Sequence, residues 1–189
     1  MWFKKRRNHK YYSMLDKVLN GNMDIDFTEF RMLYTETPDY NPYDNEKFAQ
    51  MTNAYQCKDY TKAIEIANRI LKDNYPNIQA HRIGELAHYR INDMIKYSYH
   101  GKLAHKLLES INKSGDGRTT ESAFKVISTA EEYAYMECWP MKVKKQHLIQ
   151  ANNKYFDKLE VFFSELAGVN DLYFDISVPY RWLNERIKD

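Results

Sequence analysis

Ser114-Gly115-Asp116-Gly117-Arg118-Thr119-Thr120-Glu121-Ser122-Ala123-Phe124-Lys125-Val126-Ile127-Ser128-Thr129-Ala130-Glu131-Glu132-Tyr133 is the stretch at which the 189-residue chain changes its periodicity. Two glycines around one aspartate break any helix, because glycine gains most from leaving it and admits backbone angles other residues avoid. Upstream, apolar residues recur at helical spacing. Downstream, short apolar or alternating runs are bounded by turn residues, the mark of strands.

Working back from the break, Glu46–Tyr55, Asp59–Asp73, Ile78–Ile91 and Asp93–Asn112 read as four helices. The turn pairs Lys58-Asp59 and Asn92-Asp93 stand 34 residues apart, the period of tetratricopeptide helical hairpins. Ala63, Ala67, Ile70, Leu71 and Pro76 fit the small and apolar positions of such a unit, with the proline one place late. The second unit fits less well, with Tyr97 where alanine is expected and Gly101 and Ala104 suitably small. Nearer the start, Met14, Leu15, Val18 and Leu19 stripe a helix over Ser13–Asn20, which Gly21 can end. Asp26 with Glu29 announces another, whose stripe is Phe27, Phe30 and Tyr34. Pro38 and Pro42 make residues 37–43 a loop.

Working forward, Phe124–Ser128, Glu132–Trp139, Lys142–Ile149, Tyr155–Phe163 and Leu172–Val178 read as strands, with residues 164–171 closing the last hairpin. Strands that follow one another without helices pair antiparallel. After Pro179, the residues Tyr180, Trp182, Leu183 and Ile187 fit a final helical turn. The fold class expected is α+β. A basic, flexible leader (1–12) precedes tetratricopeptide-like helical hairpins (13–113), and these pack as one compact unit on a C-terminal antiparallel β-sheet (114–189).

Composition narrows the function classes. Residues 1–10 hold five of the 28 basic residues and no acid, leaving 23 basic against 26 acidic in the remainder. A body this close to neutral is a poor match for nucleic acid, which is held by several phosphate-neutralising contacts. No apolar run is long enough to span a membrane. No apolar segment follows the basic cluster as in a signal peptide, so a cytoplasmic location is expected, or an exported one if a signal was removed. Cys57 and Cys138 form no disulfide framework or zinc pattern and read as buried free thiols. Sixteen tyrosines supply amphipathic, half-buried surface.

The stretch 114–133, together with Phe27–Tyr43, Tyr155-Phe156-Asp157-Lys158-Leu159-Glu160-Val161 and Leu172-Tyr173-Phe174-Asp175, resembles the bacterial domain-of-unknown-function family 4919. The resemblance covers roughly residues 24–179. It implies no particular activity, cofactor or ligand; many members of that family are exported, which the basic leader here does not match.

Several groups of residues have the right chemistry for a site. His81, Glu85 and His88 share one helix face and are weak candidates for a metal, although the zinc-protease spacing is missing; an ordinary polar face explains them as well. Asp116 between its glycines could line an ion site or simply shape a turn. Glu132, Asp157 and Asp175 are the best acidic cluster, provided the hairpin brings them together. On a strand Glu131 and Glu132 point to opposite faces, so a structural role is the plainer reading. No nucleophile elbow, phosphate loop or dinucleotide fingerprint occurs. The expectation is a non-catalytic protein-binding module without cofactor, for instance an immunity or adaptor protein that neutralises a toxin. Its binding residues would be Tyr40 and Tyr43 in the loop and Tyr89, Tyr97 and Tyr99 on a helix face. The alternatives are a hydrolase built on the acidic or histidine group, and a packed structural domain without a groove.

Overall fold

The computed structural model describes residues 8–43, 46–139, 141–163 and 169–187. The chain divides into two compact units, 1–108 and 109–189. The first holds α1 (His9–Leu19), α2 (Phe27–Tyr34), α3 (Glu46–Gln56), α4 (Tyr60–Asp73), α5 (Ile78–Arg90) and most of α6 (Met94–Asn112), within which the division falls.

Helix α1 starts earlier than its apolar stripe indicates. The Asn8 side chain accepts from the amides of Lys10 and Tyr11 and so caps the helix. Residues 9–12 are therefore helix and not leader, and Tyr11 is buried with its ring stacked on Phe30 at 5.1 Å; residues 1–7 lie outside the described residues. Helix α2 opens as expected, with Asp26 accepting from Thr28 and Glu29. Its stripe of Phe27, Phe30 and Tyr34 is buried.

The two turns 34 residues apart use one device. Lys58 and Asn92 both sit in the left-handed region at φ 62°. The next amide reaches back across the turn in each case, Asp59 N to Ala54 O and Asp93 N to His88 O, both at 2.9 Å. That is a Schellman closure of one helix. The same aspartate then caps the next, accepting from Lys62 N and Lys96 N at 3.1 Å each. Lysine gains nothing from a left-handed backbone, and glycine adopts it freely. K58G is therefore expected to raise unfolding free energy in urea by ~0.5–1 kcal/mol; a loss would mean that the lysine side chain stabilises the turn.

Helices α3, α4 and α5 pack together around Met51, Ala63, Ile66, Ala67 and Leu71. Alanines on α4 bring its backbone close, and the isoleucines fill what remains. Each fully buried aliphatic side chain contributes about 1.5–3 kcal/mol. Helices α5 and α6 approach through glycine: a methyl group on Gly84 would lie 3.4 Å from the His100 ring.

The second unit is a four-stranded sheet in the order β1-β4-β3-β2. The strands are β1 (Phe124–Lys125), β2 (Met141–Ala151), β3 (Lys154–Phe163) and β4 (Val169–Asp175). Between β2 and β3, Asn152 and Asn153 turn at φ 50° and 59°. This is the primed two-residue turn whose twist matches a hairpin, and asparagine tolerates it. Strand β3 pairs antiparallel with β2 and β4, but β1 pairs parallel with β4. The sheet is thus mixed, not antiparallel throughout. The long intervening chain is the crossover that parallel pairing needs.

That crossover contains the main departure from the strand reading: residues expected as the strand Glu132–Trp139 form helix α7 (Thr129–Glu137). Ser128 and Glu131 have the spacing of a capping box, but Ser128 makes no side-chain cap bond, and Glu131 Oε2 accepts from Ile127 N at 2.8 Å. Alanine, glutamate and methionine then favour helix. Helix α7 sets the Tyr135 ring against Phe124 and Phe174, with centroids 4.7 and 5.9 Å away. Helix α8 (Ser177–Ile187) likewise replaces the expected end of the last strand. Pro179 sits in its first turn, where the missing N–H would have had no helical partner. Residues 164–168 of the expected hairpin loop lie outside the described residues, and Val169–Asp171 are already strand.

The glycine-flanked aspartate is a turn. Asp116 Oδ1 accepts from Arg118 N and Ser122 Oγ, and the amides of Asp116 and Gly117 donate to Ser122 O. Gly117 O then receives Tyr173 N at 2.8 Å, which ties the turn to β4.

Candidate functional site

In the helical unit, α1, α4 and α6 leave an open groove with a cavity volume of about 690 Å³. Leu15, Leu19, Leu71 and Ile95 give apolar lining, Tyr75, Tyr99 and His100 give polar lining, and Lys72 and Lys96 stand among them. The Tyr75 and Tyr99 hydroxyls are 2.6 Å apart, and Tyr99 donates onward to Val18 O at 3.1 Å, so Tyr75 is the donor to Tyr99. Burial raises the Tyr75 pKa further above its ordinary value.

Behind the tyrosines lies a histidine stack. His81 is fully buried, with Nδ1 2.9 Å from His100 Nδ1 and Nε2 2.9 Å from Tyr75 O. His88 stacks on the other side of His100 at 5.5 Å. Its Nδ1 is 3.2 Å from Asp93 Oδ2, an ion-pair distance without hydrogen-bond alignment. Burial pushes His81 down to about 3 and His100 down to about 4, and lowers His88 against the pull of Asp93. All three rings are therefore neutral near pH 7. Burial raises Glu85, which lies over Gly101. Among the described residues no group of three or more His, Cys, Asp or Glu is arranged to hold a metal, so His81, Glu85 and His88 do not make one. His81 spends its two nitrogens on the Tyr75 carbonyl and on His100 Nδ1.

The tyrosines meet different fates. Tyr40 is 3% exposed and packs edge-on to Tyr34, so it belongs to the core and is not available as a surface anchor. Tyr43 is half-buried. Tyr89 is 52% exposed and lies beside half-buried Tyr97, and Tyr99 lines the groove. The thiols also differ from expectation: Cys57 is exposed in the turn after α3 and Cys138 is half-buried, and neither is in a disulfide.

Of the acidic trio, the structure unites two. Glu132 on α7 and Asp157 on β3 are 1% and 5% exposed and within hydrogen-bonding reach of each other. Gln146 donates to Asp157 Oδ2 at 2.8 Å, while Glu132 Oε1 is buried without a partner. Burial, then Asp157 and Glu131, raise Glu132 well above the carboxylate range, and burial raises Asp157. Burial thus favours a protonated carboxyl in this pair. Asp175 does not join it. Asp157 stands opposite Phe174 in the register, so Asp175 projects from the other face, where Lys154 binds it at 3.0 Å. Burial works to raise Asp175, but hydrogen bonds from Ser177 and Lys154 outweigh it and hold the group low.

Of the tyrosines expected to bind, Tyr99 lines this groove, whereas His100 and the groove's leucines were not among the expected site residues. The available signal was Gly84 in mid-helix, since such a glycine marks a close approach by a neighbour. Among the described residues no helix is long and apolar enough to cross a membrane.

A family model described as a domain of unknown function, DUF4919, matches residues 3–186 of the chain. Neither a curated protein nor a solved structure matches it.

Proposed function

Because the chain belongs to the DUF4919 family, whose description assigns no activity, we propose from its geometry that it is a non-catalytic protein-binding module that engages another polypeptide through its helical unit. The observation that carries this reading is the apolar surface at the α5–α6 hairpin. Within ten residues Leu86, Tyr89, Ile91, Met94 and Ile95 are 38%, 52%, 45%, 52% and 83% exposed. Single exposed apolar residues are ordinary, whereas a cluster next to an open groove marks an interaction surface. Tyrosine is among the residues enriched at interface hot spots. Hairpins closed by the same turn every 34 residues support a tetratricopeptide-like scaffold, which offers such surfaces. An immunity or adaptor protein that neutralises a toxin is one concrete form of this function.

The hydrolase alternative has one favourable observation, the proximity of the buried carboxyl groups of Glu132 and Asp157. It is weakened by the burial of both groups and by the position of Asp175 on the opposite face.

Co-expression with the product of the neighbouring gene, followed by size-exclusion chromatography, tests the reading. A stable complex is expected, and I95D combined with Y89D should weaken it by ~2 kcal/mol or more, about 30-fold, without changing the melting temperature. A complex indifferent to both substitutions, or the lack of any complex, would overturn it.

A further inference from the structure

The hydrogen bonds around His100 fix which of its nitrogens carries the proton. The Tyr75 carbonyl can only accept, so the His81 Nε2 facing it at 2.9 Å carries hydrogen. A neutral His81 then has a bare Nδ1, which must accept from His100 Nδ1 across their 2.9 Å contact. His100, also neutral, is left with a bare Nε2. This atom has no hydrogen-bond partner among the described residues and is not sealed away from solvent. The Cγ, Nδ1 and Cε1 edge of the ring packs on Gly84, and His100 lines the groove. His100 thus brings an unprotonated acceptor nitrogen to the lining of the groove, beside Asn20, Asn68 and the tyrosine hydroxyls.

Its charge is one-sided as well. Lys72 and Lys96 line it, no lining residue carries a carboxylate, and neither ammonium has an ion-pair partner among the described residues. We propose that the groove receives an acidic amphipathic helix of the partner polypeptide, which seats a tryptophan whose indole N–H donates to His100 Nε2. Tryptophan combines a large apolar body with a nitrogen that only donates, the complement of a neutral imidazole acceptor between leucines. Acids on the polar face of the helix meet Lys72 and Lys96. The chain's own residues 1–7 contain Trp2 but also Lys4, Lys5, Arg6 and Arg7, the wrong charge for these lysines. This inference rests on the protein-binding reading and names the partner's chemistry.

The test uses the full chain with ¹⁵N-labelled histidine and a synthetic amphipathic peptide carrying one tryptophan, a leucine stripe and glutamates. Three controls accompany it: a twin with lysines in place of the glutamates, a version with 1-methyltryptophan, and the chain beginning at Asn8. His100 Nε2 should show the shift of an unprotonated nitrogen and move toward the hydrogen-bonded value on titration. The lysine twin and the methylated version should each bind ~10-fold more weakly, and K72E with K96E should reverse the charge preference. Equal binding of the peptides, or a protonated Nε2, would overturn the proposal. So would binding that appears only when residues 1–7 are removed, because the chain's own terminus would then be the occupant. A neighbour-gene complex that forms without these peptide preferences removes this proposal and leaves the protein-binding reading in place.

Discussion

G115A is expected to lose more stability than alanine at any other described glycine, by about 3 kcal/mol or more, measured as the urea midpoint of the full chain by circular dichroism. A methyl group on Gly115 would lie 2.1 Å from Ser122 O and 2.8 Å from Ala123 O, both backbone atoms of the chain returning to β1. Backbone cannot swing aside as a side chain can. The turn would have to open, and with it would go the two amide bonds to Ser122 O and the tie from Tyr173 N to Gly117 O. G117A should come next, because Gly117 is at φ 69° and a methyl there would lie 2.3 Å from the buried Phe124 ring. G21A is the control. Its φ of 83° strains alanine equally, but nothing lies within 4 Å, so only the backbone cost of ~1 kcal/mol remains. If G115A matched G21A, the tight return from Ser122 would be wrong.

The same turn shows how far the sequence could be read. Gly115-Asp116-Gly117 marks the turn that follows α6, because the physical requirement is local: an approach of backbone to backbone that admits no side chain. The four helices from Glu46 to Asn112 were legible for a related reason, with Asp59 and Asp93 capping at fixed offsets from apolar stripes. The chain beyond the turn was harder to read. Ser128 and Glu131 form a local helix signal, yet the aromatic residues at 133, 135 and 139 favour strand, and the capping spacing decides the outcome. The parallel pairing of β1 depends on contacts some fifty residues apart in sequence, which no local period reveals. At the sites the division is similar. Tyr99 and the Glu132–Asp157 pair were legible as chemistry, but burial separates Tyr40 from Tyr89, and burial is a property of the assembled core. The contacts of His100 depend on the Tyr75 carbonyl, on the other side of α5 in the chain, through a second histidine.

Glu132 should make stability fall as the pH rises, the reverse of an ordinary ion-paired carboxylate. Its folded-state pKa lies well above its ordinary 4.5, first through burial and then through the charges of Asp157 and Glu131. The folded protein therefore holds a proton that the unfolded chain releases. The stability this contributes is fully present below about pH 4.5 and is lost as the pH climbs toward the folded pKa, at ~1.4 kcal/mol per pH unit for one proton. Asp157 is raised by burial and adds to the trend in the same direction. E132Q removes the titration while keeping the shape and a donor facing Asp157. The substituted and unsubstituted chains should be about equally stable near pH ~4, and by pH ~6 E132Q should be the more stable by about 2 kcal/mol, read from urea midpoints at each pH. D157N is the complementary case: it removes the charge that holds the Glu132 proton, so the wild-type slope should shrink without vanishing. The opposing outcome is an E132Q profile parallel to wild type, since a Glu132 that ionised normally in the folded chain would need a counter-charge. The groups facing it are Asp157, Glu131 and, through Asp157, Gln146. None of them is a cation, so no facing charge favours ionisation of Glu132.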